Sequence, residues 1–320
     1  MEKTIDPSTA EEVTRIVEEQ LASGNYRHVA CNLCGSDDAV PYALRLGAGT
    51  PFVVHRRRVV RCRKCGLVYN DPQATEEMLM DYYEVVYNDT LAGLVSRMEK
   101  LTTQYRSFWK NLSNRVESGR FLDVGCNTGH LLSVGQDFGW EVYGVDLSTI
   151  AIRYGQEKLG LKDLQLSDLF GACYPDNFFD YVHLWHTLEH VRNPIALLKE
   201  IYRILKPRKE LLVGVPCITD PIYYTLRFKN KLTGHPPPIS SDNAHTFEFT
   251  PSTLKMMLEK TGFDVQHSRM YYNELESMLP EGGWRGKGLV MFFWYMAKVF
   301  PNRFGHRIEA HAIKAEGRPA

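Results

Sequence analysis

Hydrophobic and polar positions change rhythm along the chain. Over 75–116, Met78, Leu79, Tyr82, Tyr83, Tyr87, Leu94, Met98, Leu101, Tyr105, Phe108 and Leu112 recur at helical spacing among charges, which predicts two or more helices. From Arg120 onward, short apolar runs alternate with helical stretches: FLDV, a helix to Phe138, EVYGVD, a helix to Leu159, LQL, DYVHLW, a helix over 194–206, then LLVGV. That alternation predicts parallel strands joined by crossover helices, a doubly wound α/β sheet. Its punctuation agrees: Ser148 is placed to cap a helix, Gly139 and Gly160 sit at helix ends, and Pro207 follows the last helix. Upstream, 51–60 (PFVVHRRRVV) reads as strand.

The chain has 320 residues, 44% hydrophobic and 24% charged, enough for one core domain and a smaller module. The predicted division is an N-terminal helical arm (1–28), a cysteine ribbon (29–72), a helical linker or cap (73–118), an α/β core (119–272) and an aromatic helical extension (273–320). Lys and Arg (38) balance Asp and Glu (38), which disfavours nucleic acid as a partner gripped over the whole surface. The longest apolar run, 288–297, is half of the roughly 20 residues that span a bilayer, and the acidic start MEKTIDPSTAEEV is unlike a signal peptide. A cytoplasmic protein is therefore expected.

Seven cysteines in such a chain need metal, chemistry or packing to explain them. Cys31, Cys34, Cys62 and Cys65 form two C-x2-C pairs, each followed by glycine (Gly35, Gly66). Such knuckles supply four thiolates to one tetrahedral Zn²⁺, a closed and therefore structural site. Arg56, Arg57, Arg58, Arg61, Arg63 and Lys64 crowd the second knuckle, either as a solvated hairpin face or as a patch for phosphate. Cys126, Cys173 and Cys217 read as small packing residues.

In a doubly wound sheet, ligands lie beyond the carboxyl ends of the strands. The first such end carries Asp123, Gly125, Asn127 and Gly129; the glycines allow a sharp turn, and the next helix is expected to offer unpaired N–H groups to an acidic group. A dinucleotide fingerprint would need glycine at Asn127 and His130, which argues against NAD or FAD. Asp146, followed by Leu147, ends the second strand where a carboxylate can accept both ribose hydroxyls. Asp168 ends the third, placed to accept from an adenine amino group with Leu169 as apolar neighbour.

LDVGCNTGHLL, VYGVDLS, SDLF and FDYVHLWHTLEHVRNP together resemble the successive motifs of class I S-adenosylmethionine-dependent methyltransferases, over Arg120 to about Cys217. The resemblance implies a Rossmann-like methyltransferase sheet in which the loop from Asp123 to Gly129 holds the amino-acid end of S-adenosylmethionine, Asp146 its ribose and Asp168 its adenine. Asn127 stands where such families commonly have Gly, and its amide can also bond the ligand. AHTFEFTPSTLKMMLEKTGFDV resembles the segment leading to the last strand pair of these enzymes. The ribbon followed by this core resembles sugar and natural-product tailoring methyltransferases, which implies that Tyr83 and Tyr87 cover the cofactor.

Methyl transfer to a hydroxyl needs collinear geometry and a proton acceptor. His186, Glu189 and His190 have i, i+3, i+4 spacing that would gather them on one helical turn. In this reading His190 is the base, Glu189 orients it and His186 lies beside the methyl group; the alternative is that Glu189 and His190 only shape the loop at Asn193. The three resemble the E-x-x-E-H segment of ubiquinone-pathway O-methyltransferases, but His186 replaces its first carboxylate, which disfavours Mg²⁺; whether His186, Glu189 and His190 bind a second metal stays open. His245 is a second candidate base. The insertion 219–245 has the length and composition of a substrate lid or a surface loop. The aromatic segment 289–300 needs a partner surface, either the protein itself or an anionic membrane or lipid-linked substrate.

The expected activity is O-methylation of a sugar, nucleotide sugar or other small-molecule or glycan intermediate. Sugar C-methylation is an alternative, disfavoured by the short stretch after Asp264. A zinc-ribbon RNA base methyltransferase and a non-catalytic cofactor-binding scaffold are the others. Oligomeric state stays open.

Overall fold

The computed structural model describes residues 7–46, 56–79, 91–219, 245–272, 287–300 and 303–316. Helix α1 (Pro7–Ala22) leads through β1 (Tyr26–Arg27) into the ribbon strands β2 (Ala39–Leu46), β3 (Arg56–Cys62) and β4 (Val68–Asn70), then β5 (Gln73–Ala74), which pairs with β1. Helices α2 (Leu91–Lys100) and α3 (Thr102–Ser113) follow. The α/β unit comprises β6 (Arg120–Val124), α4 (His130–Gln136), β7 (Glu141–Asp146), α5 (Thr149–Lys158), β8 (Leu164–Leu166), β9 (Phe179–Trp185), α6 (Pro194–Ile204) and β10 (Leu205–Pro216). After β11 (Phe247–Glu248) and α7 (Pro251–Lys260) come β12 (Phe263–Tyr271), α8 (Lys287–Val299) and β13 (Arg307–Lys314).

Seven strands form one sheet in the order β12-β13-β10-β9-β6-β7-β8, with β13 antiparallel to both of its neighbours and the pairs from β10 to β8 parallel. The chain leaves β6 toward β7 and β8, then returns to its other side at β9, so the strand order reverses between β6 and β9. A ligand crevice is expected above that point. Strand alternation separates the two faces. Phe121, Tyr181 and Leu212 join Trp109 and Trp140 on one side, while Leu122, Val124, Val182, Leu184 and Val213 face the other. The fully buried Trp109 anchors α3 to the first face, its indole N–H donating to the Leu131 carbonyl at 2.7 Å.

The expected Ser148 cap holds, and Asn193 supplies a second one. The Ser148 hydroxyl accepts from the Ala151 N–H, and Asn193 caps α6 at Ala196 with Pro194 in the first turn. Pro207 does not end a helix as expected. Helix α6 stops at Ile204 and β10 begins at Leu205 without a loop, so Pro207 sits in the strand, where pairing with β9 is interrupted between Leu205 and Glu210.

Two expectations about the modules need correction. The 273–320 extension is not only helical, because its residues 307–314 form a strand inside the main sheet. Small Ala310 and Ala312 fill its inward positions, and its charged side chains are neutralised laterally: His311 pairs with Glu210, and Arg269 with Glu309. The ribbon is not an appendage either. β11 pairs with β4 to complete a four-stranded antiparallel sheet, and Cys31, Leu33, Val60, Leu67 and Tyr69 share a continuous core with Leu188, Val215 and Phe247.

Helix α8 covers the predicted aromatic segment. Met291, Phe292, Tyr295 and Val299 are exposed along it, and no described helix is long and apolar enough to cross a membrane. The lid segment lies outside the described residues except at its ends, as do Tyr83 and Tyr87.

Candidate functional site

The loop after β6 wraps onto the end of β7. Gly125 adopts φ +79°, and a Cβ there would stand 2.3 Å from the Thr187 hydroxyl, so only glycine fits both the backbone and the space. Asn127 also has positive φ (51°), which Asn tolerates better than most residues, and its Oδ1 accepts from the Thr128 N–H at 2.7 Å. The amide oxygen is thus engaged in holding its own turn, which explains why Asn can occupy a glycine-like position.

Within the loop itself the N–H groups are already spoken for. Gly125 and Cys126 both donate to the Val145 carbonyl, Gly129 donates to Cys126, and α4 is only seven residues long. The loop thus binds itself and β7 through its own amides.

Asp146 accepts the Asn127 N–H through Oδ2 at 2.8 Å and the Ser148 N–H through Oδ1 at 2.9 Å. Burial pushes its carboxyl pKa up, against the backbone bonds from Ser148 and Asn127, which favour the anion. Each oxygen keeps a further lone pair, so the carboxylate is fixed in orientation yet able to accept two hydroxyls. Leu147, half-buried, separates it from the Ser148 cap.

Asp123 is committed elsewhere in part. Its Oδ1 pairs with His183 Nδ1 at 2.7 Å across the β6–β9 register, and His183 stacks on Trp185 with ring centroids 5.5 Å apart. The sequence reading missed His183, which is masked there as one polar residue in an apolar strand. Asp168 is exposed and accepts the Gly171 N–H at 2.6 Å. Leu169 corrects an expectation: its side chain is 2% exposed and packs in the core, and the half-exposed apolar residue of that loop is Phe170.

At the end of β9, His186, Glu189 and His190 do come together, on a turn rather than a helix. His186 has φ +53°, an unusual conformation for a non-glycine residue, and its N–H donates to Gly214. Glu189 is 1% exposed; its Oε1 pairs with His186 Nδ1 at 3.1 Å and lies 4.0 Å from His190 Nε2. Burial pushes the Glu189 pKa up, but the His186 bond and the charges of His190, His186 and His245 outweigh it, and the net shift is downward. His186 Nε2 and Glu189 Oε2 are buried without a hydrogen-bond partner among the described residues.

His245 joins this cluster from far along the chain. The N–H groups of Thr246 and Phe247 both donate to the Glu189 carbonyl, at 2.7 and 3.0 Å, and the His190 and His245 rings meet edge to face at 5.0 Å. Behind it, Glu248 Oε1 lies 3.3 Å from His245 Nδ1. Sequence reasoning missed Glu248 and also His306. Burial pushes the His306 pKa down to about 4, with the Arg307 and His186 charges acting in the same direction, so it stays neutral near His186.

The ribbon grips both segments. Asn70 donates to the His245 carbonyl at 2.8 Å, while Asn32, between Cys31 and Cys34, bonds the Asn193 side chain at 2.9 Å and the Ile195 N–H at 3.1 Å. The cysteines themselves converge as expected. Cys31 and Cys65 sulfurs are 3.4 Å apart, Cys34 and Cys62 3.5 Å, and all four lie within 4.8 Å, against about 3.8 Å between sulfurs around tetrahedral zinc. Gly35 and Gly66 turn the knuckles with φ +74° and +79°. Burial pushes the Cys31 and Cys65 thiols up, Cys65 to about 11, a cost that a bound cation would remove. Of the basic run, Arg58 pairs with Asp71, Arg63 with Asp38, and Arg57 is buried. Cys126 and Cys217 are buried, as packing residues should be, whereas Cys173 is exposed.

The profile of a family described as a methyltransferase domain matches residues 97–268. A demethylmenaquinone methyltransferase from Geobacillus is 29% identical over 147 residues, covering 42% of this chain and 61% of that protein. Phosphoethanolamine N-methyltransferase 1 from Zea mays is 30% identical over 140 residues, covering 42% of this chain and 27% of its own length. The chain therefore spans less than two thirds of either relative. Among solved structures, the complex between the Haloferax volcanii Trm112 methyltransferase activator and the putative methyltransferase contains a similar chain. The TM-score is 0.50 at 16% identity, over 72% of this chain and 99% of that one, a likeness of fold alone.

Proposed function

Because the chain belongs to this methyltransferase-domain family, we propose that it is an S-adenosylmethionine-dependent methyltransferase acting on a hydroxyl of a small molecule, such as a sugar, nucleotide sugar or glycan intermediate. The observation that carries the reading is Asp146, its carboxylate oriented by the Asn127 and Ser148 amides beside the Gly125 turn at the point where strand order reverses. S-adenosylmethionine supplies a methyl group made electrophilic by its sulfonium. The residues fit it: Asp146 holds the ribose hydroxyls, Asp168 the adenine amino group, and Asp123, braced by His183, the amino-acid end. The side-chain-free surface of Gly125 lets the ligand approach the backbone.

His186 is the proton acceptor in this assignment, in place of His190. Its Nδ1 is held by Glu189 Oε1, which fixes the tautomer with the proton on Nδ1 and leaves Nε2 basic and without a protein partner. The side chain is 33% exposed at a strand end, against 19% for His190, but Nε2 itself is buried, so proton transfer to it requires the bound acceptor to enter beside it. The four cysteines hold a structural Zn²⁺ that braces the loops carrying His186 and His245. Titration of the full chain with S-adenosylmethionine, followed by label transfer into fractionated metabolites, tests the reading. Saturable binding and a labelled hydroxyl compound are expected; absence of binding would refute it.

A further inference from the structure

The cluster that closes around Glu189 has a second chemistry that its role beside His186 does not use. The buried Oε2 of Glu189 has no hydrogen-bond partner among the described residues, and a buried polar oxygen left unpaired is costly. Coordinating atoms of Glu189, His190 and His245 all lie within 4.8 Å of one another. Two imidazoles and one carboxylate are a donor set for borderline divalent transition metals, whereas Mg²⁺ and Ca²⁺ prefer oxygen throughout.

Two features make this a prepared arrangement. The backbone bonds from Thr246 and Phe247 to the Glu189 carbonyl lock the two ligand-bearing segments together. Glu248 occupies His245 Nδ1, the outer carboxylate that metal-bound imidazoles usually have, so coordination runs through Nε2. Ligand atoms in a loaded tetrahedral shell stand about 3.3 Å apart, a contraction that side-chain rotation can supply.

We infer that Glu189, His190 and His245 bind one divalent transition-metal ion of the zinc type, at a site separate from the four cysteines. Three protein ligands leave a coordination position open, and His186 borders it through the shared Glu189 carboxylate. That the open position receives the acceptor oxygen rests on the methyl-transfer reading; the binding itself does not.

The test uses the full chain, dialysed to equilibrium against Co²⁺ with neither methyl donor nor acceptor present. Two equivalents are expected, one of them showing thiolate-to-cobalt charge transfer. His245→Asn and Glu189→Gln, each checked for unchanged circular dichroism, should each fall to one equivalent with that band intact; Cys34→Ser should lose the band and keep the other ion. A folded wild-type chain that binds a single equivalent, entirely at the cysteines, overturns the inference, as does full binding of two ions by either folded variant. Two bound ions without any methyl transfer would sink the transferase reading and leave the metal standing. One ion with normal turnover would do the reverse.

Discussion

The two ends of the crevice are built by different means. The glycine-loop end uses residues at successive strand ends, each positioned by its own strand and the turn that follows. The histidine end is a junction: His186, Glu189 and His190 follow β9, but His245 arrives through the pairing of β11 with β4, and Asn70 and Asn32 tie both pieces to the ribbon. The first end therefore depends on local backbone geometry and the second on tertiary assembly. Damage to the ribbon should reach turnover through the second and spare cofactor binding at the first.

The strongest separation comes from the base. His186→Ala should lower kcat by about 100- to 10,000-fold, the range for losing a general base, while the Kd for S-adenosylmethionine stays at about its wild-type value. Steady-state kinetics beside calorimetric titration reads both quantities, and equal losses in both would erase the proposed division. Asp146→Ala should do the opposite. Removing charged hydrogen bonds worth about 1.5–3 kcal/mol should weaken cofactor binding roughly 10- to 150-fold, and saturating cofactor should restore turnover.

A smaller effect is expected at the ribbon contacts. Asn70→Ala leaves the His245 carbonyl without its donor and should cost about 1–3 kcal/mol of stability, visible as a lower urea midpoint, together with reduced kcat at unchanged cofactor affinity. Stripping the proposed zinc with a chelator should act in the same direction. If turnover is unaffected in both cases, the ribbon does not support the histidine end.

The least effect on turnover belongs to the β10–β13 pair beyond the site. Bonds to Glu210 and Glu309 raise the His311 pKa to about 9, so its contribution is full below its ordinary value of 6.5 and is lost as pH rises through about 9. For Glu210, burial pushes upward but bonds to His311 and Arg115 hold the pKa near 2; that contribution is full above 4.5 and is lost as pH falls through about 2. Stability from this pair should therefore plateau between about pH 4.5 and 6.5. Urea unfolding across pH checks the curve, and His311→Gln should flatten its alkaline limb.

The same contrast governs what the chain discloses in one dimension. Cysteine pairs at fixed spacing with glycines behind them, and acids closing apolar runs, are local signals, and the cysteines converge where the spacing placed them. The glycine loop was legible for the same reason, although its own amides turned out to be satisfied by the loop and by β7. Strand β13 escaped because its inward positions are small alanines and its charges are cancelled by residues on β10 and β12. Leu169 was misjudged because an apolar residue after a strand end can face the core as easily as a ligand. His245 could be named as a candidate base but not placed beside Glu189, since the β4–β11 pairing that brings it there links residues far apart in sequence. His183 and His306 carry no pattern at all; only packing reveals them.

Amide hydrogen exchange with and without S-adenosylmethionine tests the central claim most directly. Slower exchange is predicted in peptides containing Gly125 to Gly129 and Asp146 to Ser148, with no such response to NAD. Unchanged exchange in both peptides, or protection by NAD instead, would contradict the account.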